Sequence, residues 1–175
     1  MPLLTVGHGP DDRARLGGRL AGAGVGCVVD VRRFPGSRSN PDVRREALAE
    51  WLPAAGIGYR WEERLGGRRR LPAGDPVADA WWTVAQFAAY AAHTRTPEFA
   101  TALDAVLAEA ATGTVAVLCS ESVWWRCDRR IVADVAVLAR CVPVTHLMPD
   151  GRVAPHRPSE GAVLGSDGPL HRPAR

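Results

Sequence analysis

The sequence predicts a three-layer α/β fold, Rossmann-like and doubly wound, with a mainly parallel sheet of about five strands flanked by helices. Three observations predict it. Short apolar stretches recur at residues 3–7, 25–31, 57–61, 115–119 and 142–147, too brief for helices and without the alternation of a half-solvated sheet. Longer stretches with apolar residues at helical spacing separate them. Polar segments rich in Gly, Ser and Arg follow several of the apolar stretches, where such a fold gathers its ligand-binding loops.

Residues 3–7 end in Gly-His-Gly-Pro, and residues 25–31 are apolar on both faces with Asp30 near their end. Between them, residues 11–23 carry Leu16 and Leu20 at helical spacing with Asp11 or Asp12 available as a cap, completing a βαβ unit. A polar loop from Arg32 to Asn40 leads into a helix over residues 43–54, with Leu48, Trp51 and Leu52 on one face. Residues 57–61 form a third strand, residues 65–75 a Gly- and Arg-rich loop, and residues 80–93 and 97–111 two helices. Residues 115–119 are the next strand, residues 127–140 a helix aligning Ile131, Val135 and Leu138, and residues 142–147 the last strand of the sheet. Beyond Met148 the chain is interrupted by Pro149, Pro155, Pro158, Pro169 and Pro173 without an apolar period. Residues 1–157 are therefore expected to form one domain and residues 158–175 a mobile tail.

Composition bounds the function. The chain has 175 residues, 46% hydrophobic and 23% charged, which fits one ordinary globular domain. Its apolar stretches fall far short of the roughly 20 residues that a membrane span needs. The opening Met-Pro-Leu-Leu-Thr-Val-Gly-His lacks the features of an export signal, so a cytoplasmic location is expected. In that compartment Cys27, Cys119, Cys127 and Cys141 stay reduced, as core residues, ligands or reactive groups. All 22 Lys+Arg residues are Arg, a coding bias, and the net charge of +3 is modest for a protein devoted to duplex binding. The Arg residues cluster, however, at Arg32, Arg33 and Arg38, at 68–70, and at Arg126, Arg129 and Arg130.

Chemistry is expected just past the carboxyl ends of the strands. There stand Gly7, His8 and Gly9; then Asp30, Arg32, Arg33, Ser37, Arg38 and Asn40; then Cys119, Ser120 and Glu121. If the strands ending near Asp30 and Cys119 are neighbours, Asp30, Arg32, Cys119, Glu121 and Arg129 meet in one crevice. Asp30, Cys119 and Glu121 are the candidate chemistry groups: two carboxylates for acid/base work or for orienting a hydroxyl, and a thiol for nucleophilic attack. His8, Arg32, Arg33, Ser37, Arg38, Asn40, Arg68, Cys127 and Arg129 are the candidate ligand-binding residues, an inventory of guanidinium forks, hydroxyls and an amide suited to phosphate or carboxylate. Arg32, Arg38 and Arg68 are expected to line one anionic pocket. Cys127, at the start of a helix, is placed for a lowered thiol pKa. A zinc site from Cys119, Cys127 and His8 or His146 has the wrong cysteine spacing, and no metal or cofactor is called for. Walker, dinucleotide-binding and serine-hydrolase motifs do not occur. One Trp of each pair, Trp81–Trp82 and Trp124–Trp125, is available as a stacking platform.

Several of these stretches together resemble the bacterial and archaeal domain-of-unknown-function family 488: Thr-Val-Gly-His-Gly at 5–9, Val-Asp-Val-Arg-Arg-Phe-Pro-Gly-Ser-Arg-Ser-Asn-Pro at 29–41, Gly-Ile-Gly-Tyr at 56–59, Leu-Gly-Gly-Arg-Arg at 65–69, Leu-Cys-Ser-Glu at 118–121, Cys-Asp-Arg-Arg at 127–130 and Val-Thr-His-Leu at 144–147. The family usually shows Cys-His-Arg where this chain has Cys127, Asp128 and Arg129. The resemblance implies a compact α/β fold with a polar pocket built from these motifs, and supplies no reaction.

Three functions are then in contention. The first is an enzyme, a hydrolase or transferase, acting on a nucleotide, nucleoside or nucleic-acid fragment, with a small phosphate-containing anion as its ligand. The second is a nucleic-acid-binding module without catalysis. The third is a thiol-based redox or metal sensor. A membrane partner is not expected.

Overall fold

A computed structural model describes residues 2–71 and 78–173. Its main sheet has six strands, β1 (Leu3–Gly7), β2 (Cys27–Asp30), β3 (Gly58–Trp61), β4 (Val115–Cys119), β5 (Val144–Leu147) and β6 (Val153–Pro155), in the order β3-β2-β4-β1-β5-β6. All neighbours are parallel except β5 and β6. Five helices flank it: α1 (Arg13–Gly22), α2 (Arg45–Ala54), α3 (Ala85–His93), α4 (Pro97–Thr112) and α5 (Arg129–Arg140). The expected architecture is present, with one strand more than expected, because β6 turns back from β5 to close that edge.

The strands are buried on both faces, which is why their sequences do not alternate. In β4, Val115 and Val117 enter the core made with α4 and α5, while Ala116 and Leu118 enter the core made with α1 and α2. The helices begin where their caps dictate. Asp12 accepts the Arg15 N–H ahead of α1, and Thr96 accepts the Phe99 N–H ahead of α4, which has Pro97 in its first turn. The connections leaving β1 and β4, neighbours in the sheet, pass to opposite faces through α1 and α5, and that divergence opens a crevice beyond their carboxyl ends.

Two local expectations are corrected. Residues 80–84 precede α3 rather than belonging to it, and α5 starts at Arg129, two residues after Cys127. The larger correction concerns the stretch after residue 157, expected to be a mobile tail. Its described part folds as a hairpin, β7 (Ala162–Gly165) and β8 (Gly168–His171), packed on α3 and α5. No apolar period marks it because polar groups hold it. His171 is fully buried, with Nε2 2.9 Å from Asp134 Oδ2 and Nδ1 3.6 Å from Asp79 Oδ1, an ion-pair distance. Asp134 also takes the Ser159 N–H and hydroxyl, and Asp79 takes two bonds from Arg95.

Candidate functional site

The crevice is built on the paired ends of β1, β2 and β4. Asp30 lies beside Leu118, and Gly7 beside Cys119. The pairing runs on past the strands, with the His8 N–H bonded to the Cys119 carbonyl at 3.0 Å and the Gly9 N–H to the Ser120 carbonyl at 2.9 Å. Gly7 is required there, since a Cβ would come within 1.7 Å of the Glu121 carbonyl oxygen. The turn after Cys119 is fixed from below by Arg129, whose buried guanidinium donates to the carbonyls of Glu121 and Ser122 at 2.6 and 3.1 Å.

Over this floor opens a pocket of about 490 Å³. His8, Arg32, Cys119 and Cys127 line its base, Arg33, Ser37, Arg68 and Arg126 its cationic wall, and Glu121, Gln86 and Asp128 its remaining polar side. The five residues expected to converge divide in two. Cys119, Glu121 and Arg32 reach the pocket, whereas Asp30 and Arg129 lie beneath it and do not line it.

Asp30 is fully buried and its oxygens are consumed. Oδ1 accepts the Arg32 backbone N–H at 3.1 Å and Nε at 2.8 Å, and Oδ2 accepts Arg32 Nη2 at 2.6 Å and the Tyr59 hydroxyl at 2.8 Å. An acid/base role for Asp30 is thus replaced by that of an anchor, because no lone pair faces the cavity. Arg32 is held in turn by the Val43 carbonyl and extends Nη1 to His8 Nε2 at 3.2 Å. Since guanidinium only donates, His8 Nε2 accepts, and Nδ1–H donates to the Gly9 carbonyl at 2.8 Å. Burial pushes the His8 pKa down, so this neutral tautomer is the resting state.

Other expectations are corrected by position. Asn40 faces away from the pocket, capping the turn Pro41–Val43 and donating to the Asp11 carbonyl. Arg38 is exposed and outside the lining, so the expected trio of Arg32, Arg38 and Arg68 reduces to Arg32 and Arg68. Ser37 lines the pocket while accepting the Asn40 N–H. Glu121 is exposed and forms no ion pair among the described residues. Trp125 is the more exposed of its pair, and Arg130 lies over Trp81, Trp82 and Trp124 at 5.3, 5.1 and 6.0 Å.

The two cysteines carry the strongest electrostatic signature. Their sulfurs are 2.8 Å apart, with Cys127 donating to Cys119. This bond, the Arg129 charge and the backbone N–H groups of Ser120 and Glu121 outweigh burial and bring Cys119 down to about 6. The same bond and burial hold Cys127 well above an ordinary thiol. The member favoured as thiolate is therefore Cys119, not Cys127, because Cys127 keeps its proton and points it at the Cys119 sulfur. Asp128, a residue sequence reasoning treated only as a departure, packs its carboxylate where a Gly67 Cβ would stand. Burial and the nearby Cys119 charge lift Asp128 to about 7. Its place beside Cys127 was the signal available. Among the described residues no three His, Cys, Asp or Glu side chains are grouped to hold a metal ion.

A family described as Domain of unknown function DUF488 matches residues 12–136. The chain belongs to this family. The DUF488 match takes in α1, the Arg loop, both cysteines and Arg129, and stops short of the resembling stretches at 5–9 and 144–147. His8 and the hairpin β7–β8 lie outside the matched residues. No curated protein and no solved structure matches the chain. Among the described residues no helix is long and apolar enough to cross a membrane.

Proposed function

We propose that this DUF488 protein is an enzyme that binds a small phosphate-bearing ligand, a nucleotide, nucleoside phosphate or nucleic-acid fragment, and acts on it through the Cys119 thiolate. The observation that carries this reading is the Cys119 sulfur, accepting from Cys127 at 2.8 Å, in a pocket that Arg33, Arg68 and Arg126 also line. Guanidinium forks suit phosphate, and a preorganised cationic wall stabilises the charge that develops when it transfers.

The groups present suit a two-step displacement of a phosphate ester. Cys119 Sγ attacks phosphorus, the bond to the ester oxygen breaks, and that oxygen leaves with the proton of Asp128, which is about half protonated near pH 7. A water molecule then gives a proton back to the Asp128 carboxylate and attacks phosphorus, so that the S–P bond breaks and phosphate leaves. Glu121, exposed on the rim, orients the incoming alcohol or water.

The test is turnover of an aryl phosphate and of nucleoside monophosphates, with phosphate binding followed by calorimetry. Cys119→Ser is expected to abolish turnover while phosphate still binds. Wild-type protein that neither binds phosphate nor turns over an ester would remove the reading.

A second reading, a nucleic-acid-binding module, is favoured by one further feature. A groove of about 1100 Å³ adjoins the pocket through Arg33, Phe34, Arg68 and Gln86 and continues along Arg69 and Arg70. Phe34 is 60% exposed, with the guanidinium groups of Arg33 and Arg68 5.4 and 5.6 Å from its ring centre, an aromatic and cationic surface of the kind that holds a base. Tight, salt-sensitive binding of single-stranded oligonucleotide without turnover would choose this reading over the first.

A further inference from the structure

We infer that Cys119 and Cys127 form a peroxide-reactive dithiol, giving the protein a second activity, reduction of a hydroperoxide at the expense of the two thiols, which are oxidised to a Cys119–Cys127 disulfide. The inference does not depend on the phosphate reading, because it needs only the two sulfurs and an opening to solvent.

The geometry is that of a pair poised for exchange. The sulfurs face one another at 2.8 Å, and a disulfide of about 2.05 Å needs a closure of under about 1 Å, within reach of side-chain rotation. Both cysteines line the pocket, which gives a small hydroperoxide a route to them. The other two cysteines are placed elsewhere. Cys27 starts β2 opposite Val115, four residues before Cys119 along β4, which sets it roughly 13 Å from the pair at about 3.3 Å per residue. Cys141 follows α5 at its far end, also away from the pocket.

The reaction balances without a metal or cofactor. The Cys119 thiolate attacks the distal oxygen of the hydroperoxide, an S–O bond forms, the O–O bond breaks, and sulfur loses two electrons. The departing alkoxide takes a proton from Asp128 or water, leaving an alcohol and a Cys119 sulfenic acid. The Cys127 thiol then attacks that sulfur, the S–O bond breaks, and its hydroxyl leaves with the Cys127 proton as water. A dithiol reductant returns both thiols. While the disulfide stands, no thiolate faces the pocket.

Burial of the pair beneath an open pocket also explains why the first step falls to Cys119. Cys127 shares its proton with Cys119 and stays a thiol, whereas Cys27 is raised by burial and by Glu109. At pH 6 about half of Cys119 is thiolate against roughly a thousandth of an ordinary thiol at 9. The lower intrinsic nucleophilicity of an acidic thiolate returns part of that advantage, about twentyfold, leaving a net gain on the order of tenfold or more.

The experiment is peptide mapping of the wild-type full chain after treatment with one equivalent of hydrogen peroxide, with free thiols alkylated before digestion. The expected result is a peptide linking Cys119 to Cys127, two hydrogens lighter than its reduced parts, with Cys27 and Cys141 still alkylated. Peroxide consumption should rise with pH around a midpoint near 6. Cys127→Ser should stop at a sulfenic acid that a dione reagent traps on Cys119, and Cys119→Ser should consume peroxide about tenfold more slowly at pH 6. Cys119 and Cys127 both recovered alkylated, a disulfide through Cys27 or Cys141, or a midpoint near 9 would each overturn the inference. Because the readout is a mapped disulfide, ester turnover can fail while this stands, and the reverse.

Discussion

Asp30 ends β2 and Glu121 follows the neighbouring β4 by two residues, yet one is a buried anchor and the other an exposed rim group. Their substitutions should separate cleanly. Asp30→Asn leaves the Arg32 guanidinium buried without its counter-ion and should cost about 3 kcal/mol of stability, read by chemical denaturation. Glu121→Gln removes a solvated carboxylate and should change stability by less than about 0.5 kcal/mol while lowering ester turnover. An equal loss of stability in both variants would refute the division. The sequence could place both carboxylates at strand ends but not distinguish them, because their fates are decided by Tyr59 and Arg32 Nε, contacts with no spacing signature. The same limit applies to Asn40 and Arg38, whose loop position was legible and whose direction was not.

Among the elements, strands read best, and β4 has the bounds its apolar run announced, because a strand buried on both faces must be continuously apolar. The hairpin β7–β8 read worst. Its outward strand carries exposed Val163 and Leu164, and it is held by Pro169, Ser159 and His171, so periodicity had nothing to register. Its attachment is testable. Truncation after residue 158 takes Ser159 and His171 away from the buried Asp134, and His171 from Asp79, and should lower the melting temperature by about 8 °C or more, the equivalent of roughly 2–4 kcal/mol in a domain of this size. His171 also gives the clamp a pH dependence. Its folded pKa is raised by the two carboxylates against the opposing effect of burial. Its contribution is therefore complete below the unfolded value near 6.5 and lost as pH rises through the higher folded value. His171→Gln should lose this alkaline decline in melting temperature; an unchanged decline would place its origin elsewhere.

Across the molecule, the hairpin, the sheet and the cysteine loop are joined by one buried hydrogen-bond chain. Asp134 Oδ1 accepts from His156 Nε2 at 2.8 Å, His156 Nδ1 is hydrogen-bonded to His146 Nε2 at 2.9 Å, and His146 Nδ1 to the Thr5 hydroxyl at 2.7 Å. Trp124, within the loop between Cys119 and Cys127, stacks on His146 at 4.3 Å with its ring nearly parallel. Burial above all, with the His156 and Arg129 charges, holds His146 down to about 3, so its ring is a neutral imidazole. The sign follows from that depression. Below about 6.5 the unfolded chain takes up a proton that folded His146 refuses, so stability is complete above 6.5 and lost progressively as pH falls toward 3. Asp134, held down to about 2, stays ionised while the unfolded carboxylate takes up its proton near 3.8, so it adds to the loss below about pH 4.5 and very little above it. Between pH 6.5 and 4.5 the His146 contribution is on the order of 2–3 kcal/mol, or roughly 5–10 °C in melting temperature. His8 and His93 are also lowered by burial and add in the same direction, so His146→Gln should flatten the acid decline only in part. The loop resting on His146 should respond with it: protease cleavage between residues 120 and 126 should rise as pH falls through the same window. A melting temperature flat from pH 7 to 4.5 would show that His146 accepts a proton without breaking the chain.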